Sequence, residues 1–460
     1  MEDNMKTFKG KRATVMGLGK FGGGFGAARF LAEQGAQVIV TDLKPAEAFA
    51  DAVGDLGQYD LTYRFGHHDM QDFIHTDLVV VSPAVPRESP YVMAARNAGV
   101  PLRTEIGLFV ERCPARICGI TGSNGKTTTV SMLGAILAES GRRSWVGGNI
   151  GVSLLRALGD MTPDDLVVLE LSSFQLEWLD EMGWSPPVAA ILNISPNHLD
   201  RHGTFERYRD AKGLILAHQK SSDTAVLVQD PPGSAFYRNQ VRGRILWAGT
   251  ENREDGATLD GGWIAESNGS RSTRIFDSRA LIVPGRHNVL NALSAAACAL
   301  ALGIDRDAIA RGLASFKGVP HRIQYLGEKA GVRFYNDSKA TTPESTVVAV
   351  ESFPGHVIPI LGGYDKHVSF DRMAEQIVSR VTWAALIGVT AHQIKAALDK
   401  ADIRSETFPT LAAAFEGCTR QARPGDVVLL SPGCASYDMF NDFEQRGEQF
   451  MEMARVYLAG

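Results

Sequence analysis

The sequence predicts an α/β protein of three domains in series, and three observations carry that prediction. Short β-rich runs alternate with stretches of helical period along the whole chain, the pattern of sheets built from βαβ units. Two glycine-rich turns, near residues 17–22 and 119–128, each follow a β-run and open a helix. The length of 460 residues matches about three domains of roughly 150 residues each.

In the first domain, expected over residues 1–110, strands are read at 13–17, 37–41 and 77–82, with an amphipathic helix at 25–34. The second, 111–318, opens with a strand into the second glycine turn and a helix. Further strands are expected at 166–171 and 188–193, with a helix near 208–218. Between 221 and 283 Gly, Asp and Ser are frequent, and β-runs at 224–228, 245–247 and 281–283 predict hairpins that extend the sheet. A helix returns at 287–302. The third domain, 319–460, begins where a proline follows a helix and a glycine, and has β-runs at 332–336, 357–361, 383–387 and 426–430.

Composition excludes several classes. Lys and Arg number 47 against 52 Asp and Glu, a net charge of −5, which argues against a dedicated nucleic-acid binder. The start, MEDNMKTFKGKR, has no apolar segment of a secretory signal, and no apolar run reaches about 18 residues. Five cysteines without a CxxC pair indicate neither a disulfide framework nor a zinc knuckle. A reduced, cytoplasmic, monomeric protein without membrane insertion is expected.

The candidate chemistry starts at the second glycine turn, Gly119-Ile-Thr-Gly-Ser-Asn-Gly-Lys-Thr127. A turn of this kind aims backbone N–H groups at a phosphate beside a helix N-terminus. Lys126 would then reach the β/γ-phosphates of a nucleotide and the Thr127 hydroxyl would face Mg²⁺. The usual loop has glycine where Ile120 stands, so this is a variant carried by Gly122 and Gly125. The first turn, Gly17-Leu-Gly-Lys-Phe-Gly22 with Asp42 at the next strand end, fits a dinucleotide or any other diphosphate. Glu170 stands at a strand tip, where such enzymes hold Mg²⁺. His198, Asp200, Arg201 and His202 cluster past another strand's carboxyl end, where ligands bind in these sheets.

Together these residues resemble the Mur ligases, the ATP-dependent amide-forming enzymes of peptidoglycan precursor synthesis, and within them the members that add D-glutamate. The resemblance rests on Thr121-Gly-Ser-Asn-Gly-Lys-Thr-Thr128, Gly147-Gly-Asn-Ile-Gly151, Glu170-Leu-Ser-Ser-Phe-Gln-Leu176, Asn197-His-Leu-Asp-Arg-His202 and His287-Asn-Val-Leu-Asn291. Further on it includes His321-Arg322, Asn336-Asp-Ser-Lys-Ala-Thr-Thr342, Leu361-Gly-Gly-Tyr-Asp-Lys366 and Ser431-Pro-Gly-Cys-Ala-Ser-Tyr-Asp438.

It implies a Rossmann-like N-terminal domain for the UDP substrate, a central P-loop ATPase-like domain and a Rossmann-like C-terminal domain for glutamate. The implied reaction joins D-glutamate to UDP-N-acetylmuramoyl-L-alanine through an acyl phosphate, with ATP and two Mg²⁺. Lys126, Glu170, His198 and Lys212 would be catalytic. Thr127, Glu170, His198 and a carbamylated Lys212 would serve metal. Gly122, Ser123, Asn124, Gly125, Thr128, Asn288, Asn291, Arg322 and Asp337 would join Lys126 and Thr127 around ATP. Leu18, Gly19, Asp42, Leu43 and Asn149 would hold the UDP substrate, and Thr341, Lys366, Ser436 and Phe443 the glutamate. Without the resemblance, Lys212 reads as a surface lysine of an amphipathic helix. The alternatives are a relative that takes another amino acid such as L-glutamate, an NAD-dependent dehydrogenase built on the first glycine turn, and a non-catalytic nucleotide sensor.

Overall fold

A computed structural model describes residues 7–19, 22–151, 153–365 and 368–460; Lys366 and the side chain of Asp200 lie outside the described part. β1 (Arg12–Met16), β2 (Gln37–Asp42), β3 (Leu61–Phe65), β4 (Leu78–Val81) and β5 (Leu102–Arg103) form a sheet in the order β3-β2-β1-β4-β5. Every pairing is parallel. The strand order reverses at β1, so a crevice lies at the carboxyl ends of β1 and β4, beside the first glycine turn.

The second sheet contains β6 (Arg116–Thr121), β7 (Ser144–Gly148), β8 (Leu166–Glu170), β9 (Val188–Ile191), β10 (Thr224–Val228), β11 (Arg244–Gly249), β12 (Asp255–Asp260), β13 (Trp263–Asn268) and β14 (Ser272–Asp277). Their order is β14-β13-β12-β11-β10-β9-β6-β8-β7. Pairing is parallel from β7 to β12, and β12 and β13 are antiparallel. β8 and β9 are buried along their whole length, which is why they read as unbroken apolar runs rather than alternating ones. Again the order reverses around one strand, β6, and the second glycine turn leaves its carboxyl end.

A third sheet has β15 (Gln324–Lys329), β16 (Val332–Asn336), β17 (Val357–Leu361), β18 (Trp383–Leu386), β19 (Arg404–Thr407) and β20 (Val427–Leu430), in the order β15-β16-β20-β17-β18-β19. Only β15 runs antiparallel to its neighbour. The predicted fold class therefore stands as three α/β sheets in series. By compactness the chain forms two units: everything up to Phe276 with Asn291–Gly312, and Asp277–Leu290 with Leu313–Gly460. In the first unit one apolar core runs from Val15 and Val40 through Leu108 and Phe109 to Val167 and Leu169.

Two local expectations need correction. No strand covers 281–283: the Leu281 N–H closes a turn onto the Ser278 carbonyl at 3.3 Å, and Pro284 follows without a donor for a ladder. The helix expected near 208–218 is Phe205–Gly213, continued by a short 3₁₀ turn at Leu214–Leu216. Its start is set by Thr204, whose side chain accepts the Arg207 N–H. Among the described residues no helix is long and apolar enough to cross a membrane.

Candidate active site

β6 ends at Thr121, and the helix Lys126–Ala138 begins four residues after Gly122. Gly125 sits between them at φ 79°, and a Cβ there would fall 2.3 Å from Asn291 Oδ1, so only glycine fits. The loop is stapled to the segment after β9. Ser123 N–H donates to the Asn193 carbonyl (2.8 Å), and the Asn124 N–H to Asn193 Oδ1 (2.9 Å). Ser123 Oγ donates to the Ser195 carbonyl (3.0 Å) and accepts from the Ser195 N–H (2.9 Å) and the Tyr208 hydroxyl (3.1 Å). Lys126 Nζ lies over the loop, donating to the carbonyls of Gly122 (2.9 Å) and Ser123 (3.0 Å). Neutral carbonyls are weak partners for an ammonium, and an anionic phosphate is a stronger one. Asn193, Ser195 and Tyr208 hold this loop rigid, and no spacing in the sequence marks them.

Glu170 ends β8, next to β6, and is 2% exposed. Its Oε2 accepts from Thr127 Oγ1 at 2.7 Å and its Oε1 from Asn149 Nδ2 at 3.1 Å. The Asn149 N–H also binds the Glu170 carbonyl, at 2.8 Å. Gly148 allows that approach, because a Cβ there would stand 2.3 Å from the same carbonyl. Thus three predicted residues from separate stretches share one carboxylate. Lys212 is buried beside them, at 2% exposure rather than on the surface. It donates to Thr121 Oγ1 (3.3 Å) and lies 5.1 Å over the Tyr208 ring. Burial first and the Lys126 charge second push its pKa down to about 7, against the opposing pull of Glu170.

No three His, Cys, Asp or Glu side chains converge as a metal cage among the described residues. The donors at hand are hard oxygens: the Glu170 carboxylate, the Thr127 hydroxyl and the Asn149 amide oxygen. That set fits Mg²⁺, which is bound through one or two carboxylates and completes its shell with substrate phosphates and water.

The predicted histidine cluster divides. His198 is exposed, in the left-handed region at φ 50°, with its ring edge-on to Phe174 at 5.4 Å. His202 is 6% exposed, stacks on the other side of the same chemistry against Phe174 (5.4 Å, 12°) and pairs through Nε2 with Ser173 Oγ at 3.0 Å. Arg201 donates to the Val85 carbonyl at 3.2 Å, a contact from the second sheet's loops to those of the first. So His198 is the exposed ring of the cluster and His202 the buried one.

At the first glycine turn, Asp42 braces the backbone: Oδ2 accepts the Leu18 N–H (3.1 Å) and Oδ1 the Lys44 N–H (3.0 Å). The Leu18 side chain is fully buried and Leu43 is 65% exposed, while Gly19 is exposed at φ 71°. His68, which the sequence did not flag, pairs with Thr41 Oγ1 at 2.7 Å beside this crevice.

In the second unit, Asn288 is buried and donates to the Pro284 carbonyl at 2.7 Å. Asn291, one turn on in the same helix (Arg286–Ala301), belongs to the first unit, where its Oδ1 meets Thr129 Oγ1 at 3.4 Å. Asp337 is buried, with Oδ1 on the Ile323 N–H (3.1 Å) and Oδ2 on Ser431 Oγ (2.8 Å). Burial raises its pKa to about 7, against those hydrogen bonds and the charge of Arg322. Arg322 itself is exposed, between His321 and Ile323, which both have positive φ; a β-branched residue there is a true outlier. Thr341 is half-buried, Ser436 buried, and Phe443 opens the last helix, Phe443–Ala459, with its ring edge-on to His321 at 6.0 Å.

Three family models match the chain: "Mur ligase MurD-like, N-terminal domain" over residues 11–104, "Mur ligase middle domain" over 120–299 and "Mur ligase, glutamate ligase domain" over 321–434. The UDP-N-acetylmuramoylalanine–D-glutamate ligase of Thermoanaerobacter sp. (strain X514) is 38% identical over 446 residues, 96% of this chain and 97% of that one. The enzyme of the same name from Geobacter metallireducens is 40% identical over 444 residues, 96% of each. Among solved structures, the UDP-N-acetylmuramate-alanine ligase MurC of Thermotoga maritima has the same fold, with a TM-score of 0.60 at 20% identity, over 97% of this chain and all of that one.

Proposed function

The chain belongs to the Mur ligase family, and we propose that its reaction is the ATP-dependent joining of D-glutamate to UDP-N-acetylmuramoyl-L-alanine. The observation that carries this is identity of 38% and 40% over 96% of the chain to D-glutamate ligases, in a molecule whose Lys126 loop and Glu170 are intact. The dehydrogenase alternative is not retained: it leaves the Lys126 loop and the third domain without a role, and the likeness to D-glutamate ligases runs over 96% of the chain.

The L-alanyl carboxylate is a poor electrophile. One of its oxygens attacks the γ-phosphorus of ATP, ADP leaves, and a mixed anhydride results. The glutamate amine then attacks the acyl carbon, phosphate departs with the carbonyl-bound oxygen, and the amine loses a proton. Two Mg²⁺ ions, when bound, neutralise charge on the transferring phosphoryl group. Lys126 turns from its loop carbonyls to the phosphates, and the N–H groups of Gly122 to Thr128 cradle them. Thr127, Glu170 and His198 would hold the metal. Lys212 joins them once carbamylated, a reaction that needs a neutral amine; its depressed pKa leaves about half of it neutral near pH 7.

Asn288, Asn291, Arg322 and Asp337 are assigned to ATP. Leu18, through its backbone, together with Gly19, Asp42, Leu43 and Asn149, is assigned to the UDP substrate. Thr341, Lys366, Ser436 and Phe443 are assigned to glutamate. The test is phosphate release with UDP-N-acetylmuramoyl-L-alanine, ATP and Mg²⁺, with D-glutamate, L-glutamate or neither. Release that requires D-glutamate is expected. Dependence on L-glutamate would move the specificity, and no release with either would refute the assignment.

A further inference from the structure

Among the described residues the largest fully buried side chain is Arg446, at 0% exposure, on the first turns of the helix Phe443–Ala459. Its guanidinium is surrounded by neutral oxygens. Nε donates to Ser338 Oγ at 3.0 Å and Nη2 to the carbonyls of Ser338 (2.8 Å) and Cys434 (3.1 Å). Nη1 donates to the carbonyls of Cys434 (3.2 Å) and Ala435 (3.4 Å). Ser338 Oγ in turn donates to the Phe443 carbonyl at 2.8 Å. Nη1 would also lie 3.3 Å from a Cβ placed on Gly363.

These partners have a common location. Ser338 follows β16, and Cys434 and Ala435 follow β20; Gly363, close to Nη1 but not bonded to it, follows β17, and these three strands are neighbours in the sheet, parallel to one another. Their carboxyl ends form the edge where ligands bind in such sheets. The two loops that Arg446 ties together are the ones that contain Thr341 and Ser436, and Phe443 is one helical turn before it on the same face. The helix packs closely there: a Cβ on Gly447 would fall 2.1 Å from His321 Nδ1.

A buried guanidinium bonded to carbonyls is an expensive way to staple loops, since a packed apolar side chain avoids the desolvation cost. Among the described residues Arg446 forms no ion pair to a carboxylate; Asp438 is the acid whose field reaches it, together with the Cys434 thiol. Burial lowers its pKa to about 10, so the cation persists at neutral pH. The arrangement offers two things that an apolar staple does not: a planar fork that sets two loops at fixed spacing, and a buried positive charge behind a site for an acidic amino acid.

We propose that Arg446 is a positioning residue for the incoming amino acid, fixing two loops of its site and supplying the positive field that favours a dicarboxylate. This rests on the assignment of glutamate as substrate. The test uses the full chain and phosphate release, with KM measured separately for glutamate, ATP and the UDP substrate, beside the thermal midpoint. Arg446→Lys keeps the charge and loses the fork; KM for glutamate is expected to rise about tenfold, one strong hydrogen bond's worth, with the other two KM values within about twofold. Arg446→Met, which loses both, should raise it further. Should these variants not fold, Ser338→Ala removes one partner of the fork and should raise KM for glutamate about threefold. Three KM values that rise together, or an unchanged KM for glutamate with a lowered thermal midpoint, would reduce Arg446 to a staple and overturn the proposal. Wild-type phosphate release that needs no glutamate would instead overturn the assignment beneath it.

Discussion

Replacing Lys212 by methionine should make the ligand-free protein more stable, and the gain should fade as pH rises. The side chain is 2% exposed, and its pKa falls from 10.5 to about 7. At about 1.4 kcal/mol for each pH unit, holding its charge in the folded state costs about 5 kcal/mol where both states are protonated. The unfolded chain binds this proton more tightly than the folded one, so stability rises with pH between about 7 and 10.5. Near pH 6 the whole penalty applies, and near pH 9 about 2 kcal/mol of it remains. Methionine has a similar length, but forfeits the Thr121 hydrogen bond and the contact with the Tyr208 ring, about 1 kcal/mol each. A net gain of about 2–3 kcal/mol is expected near pH 6 and about none near pH 9. Urea unfolding of both proteins with a chelator in carbonate-free buffer measures it. A methionine variant less stable than wild type near pH 6, or a difference that does not change with pH, would refute the reasoning. In bicarbonate the wild type should in addition show a carbamate carbon resonance that the variant lacks.

Three further outcomes can be measured. Gly125→Ala places a Cβ 2.3 Å from Asn291 Oδ1 at φ 79°. It should cost about 1–2 kcal/mol from the left-handed backbone alone, lower the thermal midpoint and weaken ATP binding by calorimetry; an unchanged midpoint would contradict the loop geometry. Asp337 has its folded pKa raised to about 7, so its contribution is present below pH 4 or so and is lost as pH rises through about 7. Asp337→Asn should therefore flatten the fall in stability between about pH 4 and pH 7, and a variant with the same slope would remove Asp337 as its source. Lys126→Ala should abolish ADP formation while the UDP substrate still binds, and ADP formation that survives would remove Lys126 from phosphoryl transfer.

Much of this molecule was legible in the sequence because its central strands are buried on both faces. β8 and β9 have to be unbroken apolar runs, and such runs are visible without a structure. The edge strands were harder to see. β5 has two residues and β14 has no fully buried residue, so neither has a burial pattern to read. The glycine turns were legible for a different reason, since a chain that must pass from a strand into a helix at positive φ has few residue choices.

What the sequence determined by itself is therefore local: where strands end, where the phosphate loop lies, and which acids, amides and lysines stand near those ends. The tertiary structure decided what these groups do to one another. Thr127, Asn149 and Glu170 share a carboxylate only because β6, β7 and β8 lie side by side in the order β6-β8-β7. Lys212 is a surface lysine by helical pattern and a buried amine in the fold, because its helix sets it between Thr121 and Tyr208. Arg446 has an ordinary helical context in sequence, and only the meeting of the loops after β16 and β20 encloses it in carbonyls. Burial and charge coupling depend on groups far apart along the chain, and no local pattern encodes which of them will meet.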